Sequence, residues 1–353
     1  MKQGRLSYVD IGRFFPMILI MLLHVLQRTS PGFTKTWPSV YLLVLGLAPF
    51  FFFSGLVHAK REPLRPVGFV YDVFKRAFAY FLPFIWFLLF RVLLYGQWVD
   101  FPAAFASAMD YPVSTLWFCW VLVWIMAFVD IGLLLSCLCP RFKKLIVTFV
   151  LIGAFLVLIN LRFMGAIPSD HFIGYDYFVI YAPVFLAGYL FGEKLFSINK
   201  IPVSAICLCV GLGALVPIAM NNNQIIQVTF LESKWMFYLA CLCAILAIYG
   251  LVSLLRDHAW AGIFVFGGRF TIEAYFLHLM LIKNWGVMQL GNGWAVFGMT
   301  IGLFLLLVVN TVAVVAVSYF VPFLHFVMFG RHLSFWKFEN ALWNKLRDWC
   351  LSI

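Results

Sequence analysis

Apolar residues along the chain fall in long runs separated by short polar stretches, and these runs set the predicted elements. Crossing a hydrocarbon core of about 30 Å takes roughly 20 apolar residues in a helix. Ten runs meet that length, near residues 11–28, 38–58, 76–95, 115–137, 144–163, 172–191, 201–220, 235–255, 270–290 and 295–321. The expected fold is therefore all-α, a polytopic integral membrane protein of about ten transmembrane helices. The sixth run is the weakest, with Asp176 near its start and Pro183 inside it. Past the last run, Phe335, Trp336, Phe338, Leu342, Trp343, Leu346 and Trp349 recur at helical intervals among charged residues. Residues 326–353 thus read as an amphipathic interfacial helix appended to a transmembrane domain over 1–325.

Composition excludes the soluble classes. The 353 residues are 64% hydrophobic and 11% charged, with a mean hydropathy of +0.99, a balance outside that of soluble domains. The net charge of +11 would suit nucleic acid, but its distribution points elsewhere. With the N-terminus placed in the cytoplasm, eighteen of the 25 basic residues fall in inner segments and five in outer ones. Only Arg13 and Arg91 lie within spans. That asymmetry is the positive-inside bias, so both termini are expected in the cytoplasm and no nucleic-acid partner is implied. Lys2 and Arg5 precede the first run without a small-residue cleavage site, which predicts a retained first helix.

Six of the eight cysteines form Cys-Leu-Cys triplets at 137/139, 207/209 and 241/243. Residues two apart on a helix point in different directions, so a triplet makes no two-ligand metal clip. Buried structural cysteine is expected, and no metal. No P-loop, dinucleotide glycine loop or zinc signature is present.

Candidate chemistry comes from polar residues inside the runs, which are costly in hydrocarbon and mark sites. Arg13 and His24 share the first run, eleven residues and about 16 Å apart along a helix axis. The plainer reading is a signal anchor with a snorkelling arginine and a hydrogen-bonded histidine. With the expected topology, depth sorts the polar groups into two clusters. Asp10, Arg13, Ser54, Lys75, Arg76 and Glu273 come toward the inner side, a mixed-charge group suited to a phosphorylated ligand. His24, Arg91, Trp117 and Trp120 come toward the outer side, with His278 between the clusters. Trp117 reads equally as membrane belt, and Glu273 equally as an ion-pair partner of Arg13 or Arg76. Asp130, His58, His325 and His332 are expected at the interface.

Several stretches resemble the acyltransferase family 3 membrane proteins, which move acetyl or other short acyl groups onto cell-envelope sugars and related acceptors. Asp10 and Arg13 with His24 resemble that family's first-helix Arg-x10-His signature. Phe50-Phe51-Phe52-Phe53-Ser54-Gly55 is similar to the end of its second helix, and Thr115-Leu116-Trp117-Phe118 to its Leu-Trp-Phe stretch. The runs from Tyr181 to Leu190 and from Gly268 to His278 also match, in the right order. Two departures stand out: Lys75-Arg76 is followed by Pro83 with no second arginine between, and Phe270-Thr271 replaces a usual Ser-Leu. The hydrolase module fused to some members is not expected to take part, since the resemblance covers the spans alone.

The resemblance implies a membrane acyltransferase of the bacterial cytoplasmic membrane, with acyl-CoA, chiefly acetyl-CoA, as donor and a carbohydrate or other hydroxyl as acceptor. On that expectation Arg13, Arg76, Ser54 and Lys75 hold the donor phosphates, and Arg91, Trp117 and Trp120 meet the acceptor. His24, Glu273 and His278 are the catalytic candidates, His24 as general base or as a transient acyl carrier. The competing class is a transporter or flippase of a sugar or lipid-linked intermediate, which paired broken helices would favour. A purely structural scaffold gives no reason to keep these ionisable residues in lipid.

Overall fold

A computed structural model describes residues 7–30, 32–95, 103, 106, 117–167, 175–198, 200–221, 234–283 and 293–329. Among these residues the regular structure is helical and contains no strand, as a chain with no water to satisfy its backbone requires. In chain order the helices are α1 (Ser7–Thr29), α2 (Trp37–Ala59), α3 (Pro66–Tyr95), α4 (Trp117–Leu135), α5 (Lys143–Phe163) and α6 (Tyr175–Ser197). They continue as α7 (Ile201–Asn221), α8 (Lys234–Leu255), α9 (Ala261–Arg269), α10 (Thr271–Lys283), α11 (Gly293–Phe320) and α12 (Pro322–Phe329).

Eight of these helices are long and apolar enough to cross a membrane. A ninth crossing results if α9 and α10 form one span. The 30-residue α3, which carries Asp72, Lys75 and Arg76 in its first half, covers the remaining predicted run. Among the described residues every predicted run therefore falls on a helix, but the ninth differs in form. It begins nine residues earlier than expected and bends by 68° between α9 and α10. The bend has a packing cause. A Cβ on Gly268 would lie 1.9 Å from the Asp10 carbonyl oxygen, so α9 meets the α1 backbone directly. The chain then tightens, the Phe270 N–H donating to the Gly267 carbonyl at 3.1 Å, before α10 starts afresh. Residues 330–353, where the amphipathic helix is expected, lie outside the described residues; α12 precedes them.

The chain divides into two compact units. The first comprises Met1–Ala59 and Ala187–Val312. Its helices close on one another at small residues, the usual device where lipid gives no hydrophobic drive for association. A Cβ on Gly188 of α6 would fall 1.9 Å from the Phe52 carbonyl oxygen of α2. Gly211 of α7 and Gly250 of α8 meet the facing backbones at 2.5 and 2.4 Å in the same sense. The Phe50–Phe53 run of α2 is wholly buried, and the Phe53 ring packs against Phe196. Thr29 of α1 and Thr300 of α11 share a 2.8 Å hydrogen bond.

The second unit comprises Lys60–Leu186 and Ala313–Ile353. The α2–α3 connection is tied to α4 by the Leu64 N–H donating to the Leu133 carbonyl at 3.1 Å. It is tied to α5 by Lys143, whose ammonium donates to the Arg61 carbonyl at 2.7 Å. The Trp86 indole N–H donates to the Val327 carbonyl at 2.7 Å, joining α3 to α12.

Burial corrects several interfacial expectations. Asp130 is 1% exposed and His58 is buried, its Nδ1–H donating to the Ser54 carbonyl at 2.7 Å. His325 is also buried, its Nδ1–H donating to the Ser318 hydroxyl at 3.0 Å. Local partners for His58 and His325, and the distant Arg61 and Arg76 for Asp130, remove the cost that would have driven these side chains to the headgroups. His332 lies outside the described residues. The cysteines divide: Cys119, Cys241 and Cys243 are buried, whereas Cys137, Cys139 and Cys209 are exposed, contrary to uniform burial. The exposed 137/139 pair sits in the turn that leads into α5 rather than on a packed helix face.

Candidate active site

The first unit brings two histidines together. His24 projects from the last two turns of α1 and His278 from α10, with ring centroids 5.3 Å apart and planes 34° from parallel. The sequence-based depths separated them; the bend before α10 raises His278 beside His24. Each ring has its tautomer set by a neighbour on its own helix. His24 Nδ1–H donates to the Gln27 side-chain oxygen at 2.9 Å, one turn on. His278 Nδ1–H donates to the Ala274 carbonyl at 3.0 Å, one turn back. Both donations leave Nε2 with a lone pair. His278 is 0% exposed, and among the described residues its buried Nε2 has no hydrogen-bond partner. An orphaned acceptor in such a place is rare and calls for a function.

Around the pair, Tyr275 packs against His278 with centroids 5.6 Å apart. Glu273 is buried in the first turn of α10, where a helix N-terminus favours a carboxylate. Thr271 secures that start, its hydroxyl donating to the Gly268 carbonyl at 3.2 Å. Asp10 and Ser54 are buried and Arg13 is half-buried, all within the first unit. The expected inner cluster is thus distributed, with Asp10, Arg13, Ser54 and Glu273 in the first unit and Lys75 and Arg76 in the second.

In the second unit Arg76 is one part of a four-member ion network. Asp130 receives Arg76 in a fork, at 2.6 Å and 2.9 Å, and Arg61 at 2.7 Å. Arg61 also pairs with Asp72. Burial, with the Arg76 guanidinium beside it, pushes the Arg61 pKa down from the usual arginine range, against the pull of Asp130 and Asp72. Two cations meet two anions here, so the network is neutral and satisfies the pairing that buried charges need. Lys75 is half-buried next to Arg76 on α3.

Trp117 and Trp120 begin α4 in the second unit. Trp117 stacks on Tyr177 with centroids 4.0 Å apart and on Tyr181 at 5.7 Å, forming a three-ring wall with α6. Trp120 lies edge-on to Phe84 at 5.2 Å, and its buried Nε1–H has no acceptor among the described residues. Arg91 belongs to α3, and its side chain lies outside the described residues. Among the described residues no group of three or more His, Cys, Asp or Glu could hold a metal ion.

The model of the acyltransferase domain family matches residues 6–321. The chain belongs to the acyltransferase 3 family. It is accordingly a membrane acyltransferase, and the match spans both units, including the imidazole pair and the ion network. No curated protein and no solved structure matches it. Membership sets aside the transporter and scaffold classes, although one broken helix pair is present.

Residues that the sequence left unassigned gain partners here. Gln27 follows His24 by three positions, the spacing at which helix neighbours meet, which is the one signal that pointed to it. Asp130 carried the signal of an acid inside an apolar run, and Arg61 was indistinguishable from the other basic residues outside the spans.

Proposed function

We propose that the protein transfers an acyl group, chiefly acetyl, from acyl-CoA supplied at the cytoplasmic side to a hydroxyl of a cell-envelope sugar or related acceptor. The observation that carries this reading is the His24–His278 pair, with each Nδ1–H held by its own helix and the His278 Nε2 buried without a hydrogen-bond partner among the described residues. An acceptor hydroxyl has to lose its proton as it attacks the thioester carbonyl, and a positioned imidazole is the group best suited to take it.

In this mechanism His24 Nε2 removes the hydroxyl proton while the oxygen attacks the carbonyl carbon. The tetrahedral intermediate collapses with cleavage of the C–S bond, and the CoA thiolate leaves with the proton from the imidazolium. Gln27 holds the ring through Nδ1–H and stabilises the cation that forms transiently. His278, with its ring centroid 5.3 Å from that of His24, offers a second imidazole beside the first. Glu273, buried one turn before His278, supplies the negative charge that favours a transient imidazolium. Arg13 contacts the donor phosphates and Ser54 adds a polar contact, both in the same unit as the imidazole pair. Aromatic faces such as the Trp117–Tyr177–Tyr181 wall suit the C–H faces of a sugar ring.

The test is to reconstitute purified protein in vesicles with radiolabelled acetyl-CoA on one side and envelope glycans on the other. Label appearing in glycan ester, released by mild alkali, supports the reading. Label that stays in CoA with every acceptor and acyl chain length offered contradicts it.

A further inference from the structure

The second unit contains a cavity of about 310 Å³ between α3 and α4, apart from the imidazole pair and sharing only Trp120 with the candidate acceptor contacts. Phe74, Tyr80, Phe81, Phe84, Trp120 and Val123 line it. Phe74 and Phe81 at its mouth are 68% and 41% exposed, on a helix of a membrane protein, so it opens toward hydrocarbon. Along α3 it runs from Phe74 to Phe84, ten residues or about 15 Å. That length is about half of a 30 Å hydrocarbon core, the depth of one leaflet.

The two ends of the groove differ. The Phe84 end closes on the edge of the Trp120 ring. The Phe74 end adjoins Lys75 and the charged start of α3. Lys143 binds the Arg61 carbonyl, which brings the 60–65 connection and the start of α5 to this same end of the unit. Arg65, Arg141 and Lys144 are exposed there. Asp72 and Asp130 are engaged by Arg61 and Arg76, and the exposed Glu62 of the connection is outnumbered by Arg65, Arg141 and Lys144, so the surface charge at this end is positive.

We propose that this groove is a binding site for one anionic phospholipid. One acyl chain lies along α3 from Phe74 toward Trp120, and the phosphate sits at the basic end by Arg65, Arg141 and Lys144. Hydrocarbon in the groove matches its apolar lining, and a juxtamembrane basic cluster attracts anionic headgroups. The site is independent of the acyl-transfer reading, since its test measures retained lipid and not turnover.

Native mass spectrometry of the detergent-purified full chain, after exchange into equimolar phosphatidylglycerol and phosphatidylethanolamine, tests both parts. Wild type should retain one phosphatidylglycerol, at least fivefold over phosphatidylethanolamine. Val123→Trp, which fills the groove, should cut retained lipid at least fivefold; Val123→Phe, which fills less, replaces it should the larger variant not fold. Arg65→Gln, Arg141→Gln and Lys144→Gln together should keep a bound lipid but remove the headgroup preference. Equal retention of both lipids by wild type, undiminished retention in the filled variant, or an undiminished preference in the neutralised one would overturn the proposal.

Discussion

Asp130 offers the sharpest test of how the second unit is held together. Its carboxylate is 1% exposed and takes two guanidiniums, while the Arg76 and Arg61 side chains keep 18% and 22% exposure. Breaking a buried pair by removing one partner costs about 3–5 kcal/mol, because the other charge is left uncompensated. The residual exposure of both arginines lets water recover part of that, so about 2–4 kcal/mol is expected for Asp130→Asn. At roughly 2–4 °C per kcal/mol, thermal unfolding in detergent should fall by about 5–10 °C. Adding Arg76→Gln restores neutrality, since Arg61 keeps Asp72. The double variant should therefore regain at least about 1 kcal/mol over the sum of the single losses, the coupling expected of residues in one network. Strictly additive losses, or an Asp130→Asn variant as stable as wild type, would refute the claim that these four side chains act as one electrostatic unit.

Three further outcomes follow from the geometry. Gly268→Ala places a methyl carbon 1.9 Å from the Asp10 carbonyl, against backbone that cannot swing aside; overpacking of this kind costs about 1–3 kcal/mol, and both melting temperature and acyl transfer should drop. Gln27→Leu should lower kcat about tenfold with little change in KM for acyl-CoA, because it frees the His24 tautomer without touching the donor; steady-state kinetics against donor concentration decide this. Trp117→Ala removes one ring of the stacked wall, and at about 0.5–1.5 kcal/mol per aromatic pair the acceptor KM should rise several-fold while the donor KM stays constant.

The pattern of apolar runs carried most of the architecture, because hydrocarbon imposes one solution on the backbone. Among the described residues the predicted runs fall on helices, and the Arg13–His24 spacing on one helix follows from the rise per residue. What the pattern could not carry was the bend. Gly267-Gly268-Arg269 dilutes the apolar signal at the point where α9 presses on α1, so the run seemed to begin at residue 270. His278 was consequently assigned a different depth from His24. Ion pairing was equally hidden. Asp130 and Arg76 are 54 positions apart, and a long-range pair leaves no trace in local composition. Residues such as His58 and His325 carry their own local acceptors, which made burial affordable where the sequence suggested an interface.

The most direct measurement is single-turnover acyl transfer by His24→Ala alongside wild type, with melting temperature and acyl-CoA binding recorded on the same samples. The predicted result is a fall of about 10²–10⁴-fold in the transfer rate, with stability and donor binding close to wild type. Transfer at the wild-type rate in a folded His24→Ala protein would contradict the assignment of the imidazole pair as the reactive centre.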